Sequence, residues 1–278
     1  MLDADCISAN IEAEGFFHVE VRDSVTSTNS VLLEMAAKGA PEGLVLVAEE
    51  QTAGKGRLGR SFYSPGCGHG VYFSVLLHPC VNPSDVTLIT PAAAVATAHA
   101  IENVFGVRVG IKWVNDLLVD GKKVCGILTE TIIGAESGLV ESAVLGIGVN
   151  IVRPEKGFPG ELEGIAAALI SDNATENEDR RSRLVAAVLD EFRRYYRNLP
   201  AREFLDEYRE RSIVIGQDIY VVSGGAEKPA RALSIDDDCR LIVQYKDIAN
   251  AGAGNSGSDE FTTPVALNSG EVSLKGVH

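Results

Sequence analysis

LVLVAEEQTAGKGRLGR, residues 44–60, is the stretch from which the rest of the chain can be read. Its apolar start, residues 44–48, ends in Glu49, Glu50 and Gln51, as a strand does where it leaves a core. Glycines and cations then alternate through Gly54, Lys55, Gly56, Arg57, Leu58, Gly59 and Arg60. Glycine lets backbone amides approach a ligand closely and take up positive φ. The cations can converge on phosphate or carboxylate oxygens, arginine through a forked pair of donors. The loop reads as an anion clamp.

Other readings meet specific obstacles. Gly54, Gly56 and Gly59 have the spacing of the dinucleotide fingerprint behind a strand. That fingerprint requires a helix opening at the loop and an acidic residue about 20 positions on. Residues 61–70 are instead rich in glycine and proline, and residues 71–77 carry no carboxylate. Nor does a Ser or Thr follow Gly54-Lys55, as a P-loop demands. A surface loop with solvated charges remains the plain alternative, so the decision falls to the rest of the chain.

A length of 278 residues gives room for one large domain, or a large and a small one. The net charge of −14 argues against a general nucleic-acid binder, so no DNA partner is expected, and it sets off the cations at 55, 57 and 60. The five cysteines are scattered without a CxxC pair, which predicts reduced thiols in a cytoplasmic protein rather than disulfides or a zinc site. No run of about 20 apolar residues is evident, so no membrane span is expected. Asp3, Asp5, Glu12 and Glu14 have the wrong sign for a signal peptide. His18, His69, His78, His99 and His278 show no metal-ligand spacing.

Along the chain, residues 16–25 read as a strand running into Ser27, Thr28 and Asn29. A helix follows to residue 38 and ends at Gly39. The three polar residues serve as caps, and they can also hold a polar ligand at a helix N-terminus. Residues 71–77 are a strand, and 85–105 a helix with many alanines. A strand is expected over 107–114, then a hairpin over 117–129 turning at Asp120-Gly121. Lys112, Asn115, Asp116 and Lys123 thus lie on strands or at their ends. In the strand 142–151, Gly146 and Gly148 leave a bare patch for a flat ligand or for a close crossing. A connection over 153–178 is expected to hold a short helix at 164–170. Helices over 179–198 and 201–211 follow, their arginines forming a solvated face. Near Ser212 the texture changes to short strands at 219–222, 229–235, 241–245 and 271–274, with a Gly/Ser-rich mobile loop at 249–260. This predicts two domains, 1–211 and 212–278.

Taken together, the motifs resemble those of the biotin protein ligase family. Ser27-Thr28-Asn29 is similar to its Ser-Thr-Asn turn, and the run from Gln51 to Arg60 to its biotin-and-adenylate loop. Lys112-Trp113-Val114-Asn115-Asp116 resembles its Lys-Trp-Pro-Asn-Asp motif, with valine in place of proline. Lys123 to Glu130 resembles its lysine-bearing hairpin, and Gly146-Ile147-Gly148-Val149-Asn150 its Gly-x-Gly-x-Asn strand. Ser269 to Leu274 resembles the close of its C-terminal domain. Lys55 stands where many members have arginine, and Phe62 where tryptophan is common. The resemblance is to the enzyme-only kind, so an N-terminal helix-turn-helix domain of the repressor-type members is not expected.

The resemblance implies an α+β fold: a mixed sheet with helices packed on it, of the biotin/lipoate ligase type, plus a small C-terminal SH3-like β-barrel. It implies ATP-dependent ligation of biotin, through biotinyl-AMP, to a lysine of a biotin carboxyl carrier domain. A lipoate or octanoate ligase of the same fold and a non-catalytic biotin sensor are the alternatives. Arg57 and Lys123 are the expected catalytic residues. The biotin site is expected to draw on Ser27, Thr28, Asn29, Gln51, Gly54, Lys55, Gly56, Arg57, Lys123, Gly126, Gly146 and Gly148. ATP is expected at Lys55, Arg57, Arg60, Phe62, Lys112, Trp113, Asn115, Asn150 and Lys275, with Asp116 on Mg²⁺. A homodimer paired through the strand at 127–133 is also implied.

Overall fold

The computed structural model describes residues 1–13, 15–66, 68–134, 138–170, 177–223, 226–246 and 261–274, with backbone only at 177 and 178. Cys67, Lys275 and the loop at 249–260 lie outside the described residues. A short helix α1 (Ala4–Ala9) opens the chain, capped by Asp3. Strand β1 (His18–Val25), helix α2 (Thr28–Ala36), β2 (Leu44–Gln51) and β3 (Gly70–Leu77) follow. After helix α3 (Ile89–Phe105) come the short β4 (Gly110–Lys112), then β5 (Asp116–Val119), β6 (Lys122–Ile133) and β7 (Val140–Asn150). The seven strands form one sheet in the order β1-β2-β3-β7-β6-β5-β4. Only β1 and β2 pair in parallel.

Alternation along the strands decides what each face carries. Val45, Val47, Val71, Phe73, Val75, Leu145 and Val149 point to one face, the main core. There they meet α3 and the amphipathic α4 (Asn177–Tyr196), with Ile7 of α1 in the same core. Leu44, Leu46, Leu76 and Val144 point to the other face, against Leu32 of α2. The alanines of α3 at 92, 93, 94, 96, 98 and 100 are fully buried and let α4 approach closely. Asp85–Phe105 is long and apolar enough to cross a bilayer, where no such run was expected, but it is mostly buried as a core helix of this fold.

The hairpin turns where expected: Asp120 and Gly121 take φ of 49° and 75°, both left-handed, as a tight two-residue turn requires. The strand expected over 107–114 shortens to three residues. No helix forms at 164–170. Gly164 has a φ of +81°, and Ala166 and Ile170 instead pair in parallel with Lys123 and Val152. The helix expected over 201–211 is confined to α5 (Leu205–Glu210), because Arg202 takes a φ of 56° and ends the turn before it.

Five further strands are β8 (Asp218–Ser223), β9 (Ala226–Ile235), β10 (Leu241–Tyr245), β11 (Val265–Leu267) and β12 (Glu271–Leu274). They form a second, antiparallel sheet in the order β11-β10-β9-β8-β12. β11 was not foreseen. The segment between α5 and β8 is tied to the first sheet where Ile111 N–H donates to Arg211 O and Ile213 N–H to Ile111 O. The Trp113–Val114 peptide is cis, and the buried Trp113 donates through Nε1 to Cys239 O at 2.9 Å.

The expectation of a solvated arginine face fails at two points. Arg181 of α4 is buried and paired with Glu49 of β2 at 2.7 Å. Arg211 is clasped by Glu102 at 2.7 Å and by Glu207 at 2.6 Å. Burial of a guanidinium demands such partners.

Candidate active site

On the α2 face, β3, β6 and β7 present Ser74, Gly126, Gly146 and Gly148 where the opposite face carries aliphatic side chains. A pocket of about 50 Å³ opens there, lined by these glycines together with Ser27, Thr28, Asn29, Gln51, Lys55, Gly56, Arg57, Phe62, Asn115 and Lys123. The clamp loop, the head of α2 and the hairpin meet at this pocket, although they are up to about 100 residues apart in sequence.

One end is neutral and polar. Ser27 caps α2, and Thr28 N–H donates to Gln51 Oε1 at 2.9 Å. Gln51 Nε2 donates to Ser64 Oγ at 2.9 Å. Asn29 Nδ2 donates to Glu130 Oε2 at 2.9 Å, while Ser74 Oγ lies 2.6 Å from Asn29 Oδ1 and 2.7 Å from Thr28 Oγ1. These bonds fix donors and acceptors at a buried helix head, which suits recognition of a compact polar group.

The other end is cationic. The clamp loop is a tight hairpin in which Phe62 N–H donates to Gly54 O at 2.8 Å and Gly56 N–H to Arg60 O at 2.7 Å. Leu58, at its tip, takes a φ of 56°. Arg57 Nη1 donates to Asn115 Oδ1 at 3.1 Å, and Asn115 Nδ2 in turn to Ile127 O at 2.8 Å. Lys123 Nζ is 2.7 Å from Asp116 Oδ1. Adjacent residues at the head of β5 therefore position both cations. Lys55 faces Glu130 at 3.7 Å.

Gly126 and Gly148 form a seat for Phe62. A Cβ on Gly148 would lie 2.5 Å from the Phe62 ring, and one on Gly126 2.9 Å away. A Cβ on Gly146 would collide with Asn29 Oδ1. The bare patch expected to receive a flat ligand thus holds two side chains of the chain itself.

Several expected site residues stand outside this pocket. Trp113 is buried against the second sheet. Asn150 donates through Nδ2 to Ala167 O at 3.1 Å. Arg60 is taken up by Glu271. Gly54 lies behind the pocket, where a Cβ would meet Phe62 O at 2.5 Å. Lys112 is largely buried, which lowers its pKa against the opposing charges of Asp116 and Glu271. Asp116, expected at a metal, is held by Lys123, and among the described residues no three His, Cys, Asp or Glu side chains converge as metal ligands. Beyond Lys123 the segment at 165–167 borders a larger cavity of about 760 Å³, lined in part by Lys122, Arg153, Lys156 and Phe158.

Sequence reasoning missed Glu130, Ser74 and Ser64. Ser74 had a signal, a lone hydroxyl in an otherwise apolar strand on the face of Gly146. Glu130 ends the hairpin motif and faces both Asn29 and Lys55.

The sequence model of the Biotin/lipoate A/B protein ligase family matches residues 21–150. The bifunctional ligase/repressor BirA of Bacillus subtilis is 35% identical over 230 residues, 82% of this chain and 69% of that protein. The biotin–[acetyl-CoA-carboxylase] ligase of Mycobacterium tuberculosis is 31% identical over 242 residues, 82% of this chain and 84% of that protein. The biotin protein ligase from Aquifex aeolicus in complex with biotin and ATP shares the fold, with a TM-score of 0.68 at 21% identity over 93% of this chain and 98% of that one.

Proposed function

Since the chain belongs to the biotin protein ligase family, we propose that it activates biotin with ATP and transfers it to a lysine of a biotin carboxyl carrier domain in the cytoplasm. One observation carries the reading: Arg57 and Lys123 line a single pocket whose far end is a neutral hydrogen-bonding helix head.

Activation requires the carboxylate of biotin to attack the α-phosphorus of ATP, so two anions must touch. Arg57 and Lys123 neutralise them and stabilise charge as it develops on the phosphorus, while Asn115 and Asp116 hold the two cations in place beforehand. The new bond joins carboxylate oxygen to phosphorus, and pyrophosphate leaves. The carrier's lysine amine then attacks the anhydride carbonyl, and AMP leaves with the bonding electrons. The ureido end of biotin takes hydrogen bonds from the α2 head and Gln51, its tail lies along β6 and β7, and Phe62 yields its seat. The remainder of the nucleotide has room in the larger cavity, whose lining carries Lys122, Arg153 and Lys156 beside Glu155 and Glu163. Mg²⁺ would be held mainly by the nucleotide's phosphates, since it commonly needs one or two carboxylates and the two near this pocket, Asp116 and Glu130, are paired with Lys123 and Lys55. When bound, it would share the phosphate charge.

We also assign a homodimer. Past Leu128, where Asn115 and Asn29 take the backbone groups of Ile127 and Leu128, β6 pairs in its ladder with β7 alone among the described residues, and Ile133 is 62% exposed on it. Such an edge invites a second copy, and a monomer in sedimentation at working concentration rejects this.

The test of function is biotin-dependent exchange of pyrophosphate into ATP. Arg57→Ala and Lys123→Ala are each expected to lose on the order of 10²–10³ in rate. Exchange driven by lipoate or octanoate instead, or none at all, overturns the reading.

A further inference from the structure

Three charged side chains hold the clamp loop, and one of them reaches the other sheet. Lys55 reaches Glu130 at 3.7 Å and Arg57 reaches Asn115 at 3.1 Å, both on the first sheet. Arg60 crosses to Glu271 of β12, Nη1 to Oε1 and Nη2 to Oε2, each at 2.6 Å. This is the forked geometry that gives an arginine–carboxylate pair its directional strength. The loop is otherwise held by the hairpin's own backbone bonds and, at its base, by the Phe62 ring seated against Gly126 and Gly148; its tip residue Leu58 is 72% exposed. Glu271 touches nothing in the pocket. Arg60 is likewise no part of the pocket lining.

Resting on the activity proposed above, we infer that Glu271 is a positioning residue: through Arg60 it straps the clamp loop over the activated intermediate and keeps water from it. The second sheet thereby governs how long the anhydride survives before the carrier arrives. Loop closure of this kind protects reactive intermediates by excluding solvent. The group that leaves without a carrier is AMP, displaced by water at the anhydride, with biotin regenerated.

Glu271→Gln, Arg60→Gln and the double variant test this in the full-length protein. Two measurements are made: biotin-dependent AMP release without carrier, and amide hydrogen exchange across residues 55–61. Each single variant is expected to raise both by roughly three- to tenfold, about 0.7–1.4 kcal/mol. The double variant is expected to exceed either single one by less than twofold, since both changes break one interaction. Unchanged exchange at 55–61 in Glu271→Gln, or single effects that multiply in the double variant, overturns the strap. If the unmodified protein and all three variants release no biotin-dependent AMP, the proposed activity fails, while the exchange measurement still decides the strap.

Discussion

A single added methyl group at residue 148 would press into the ring of Phe62, because the seat is cut to the width of one aromatic face. Gly148→Ala is therefore expected to lose about 1–3 kcal/mol of stability, the usual consequence of overpacking, and to weaken biotin binding. Thermal unfolding and titration calorimetry check both, and an unchanged melting temperature would sink the seat. The thiols give an independent test. Burial pushes Cys239 up to about 12 and Cys125 higher still, whereas Cys6 and Cys80 are exposed. Alkylation at mildly alkaline pH should modify Cys6 and Cys80 in the native protein and spare Cys125 and Cys239 until it is denatured, as peptide mass spectrometry would show. Legibility at this scale followed chemistry. The clamp cations, Gln51 and the α2 head were readable because charge and capping leave strong local marks. The roles of Trp113 and Arg60 were not, because their partners, Cys239 and Glu271, lie more than 120 residues away.

At the scale of elements, α4 is pinned to the sheet by the buried pair of Arg181 and Glu49. Burial works to raise the Glu49 pKa, but the hydrogen bond and charge of Arg181 and the Leu2 amide outweigh it, leaving the carboxyl below its ordinary range. A carboxylate lowered in this way adds stability that is complete above its unfolded value near 4.5 and is lost as pH falls through the folded value. Glu49→Gln should flatten the acid limb of the stability profile below that pH. It should also cost about 3–5 kcal/mol near neutrality by leaving Arg181 buried without a counter-charge. Urea unfolding across pH measures both, and an unaltered acid limb would refute the linkage. The amphipathic pattern of α4 was plain in the sequence, yet one cation on a polar helix looks like any other until its depth is known. Segment 164–170 misled for a related reason. Its alanines favour helix, but backbone pairing with Lys123 and Val152 outweighs so weak a preference.

Across the whole molecule, the second sheet is bonded to the rest by Trp113 to Cys239 O, Arg209 to Ile235 O and Arg60 to Glu271, and the link before β8 is bonded to Ile111. Local texture announced the second sheet near Ser212, but nothing in the periodicity announced how firmly it is bound to the first. Gly110 records how closely the link before β8 lies on β4, since a Cβ there would stand 2.5 Å from Ile213. The two sheets are expected to unfold together in denaturant, with coincident transitions from far-ultraviolet circular dichroism and from a probe at the junction. Such a probe is built in. Trp113 is the sole tryptophan, and its indole is sealed in the seam with its N–H given to Cys239 O. Its emission should be blue in the native protein and move to the red only when the seam opens. Fluorescence of the unlabelled protein thus becomes a gauge of one joint. A red shift that precedes the loss of secondary structure would reveal the sheets parting first.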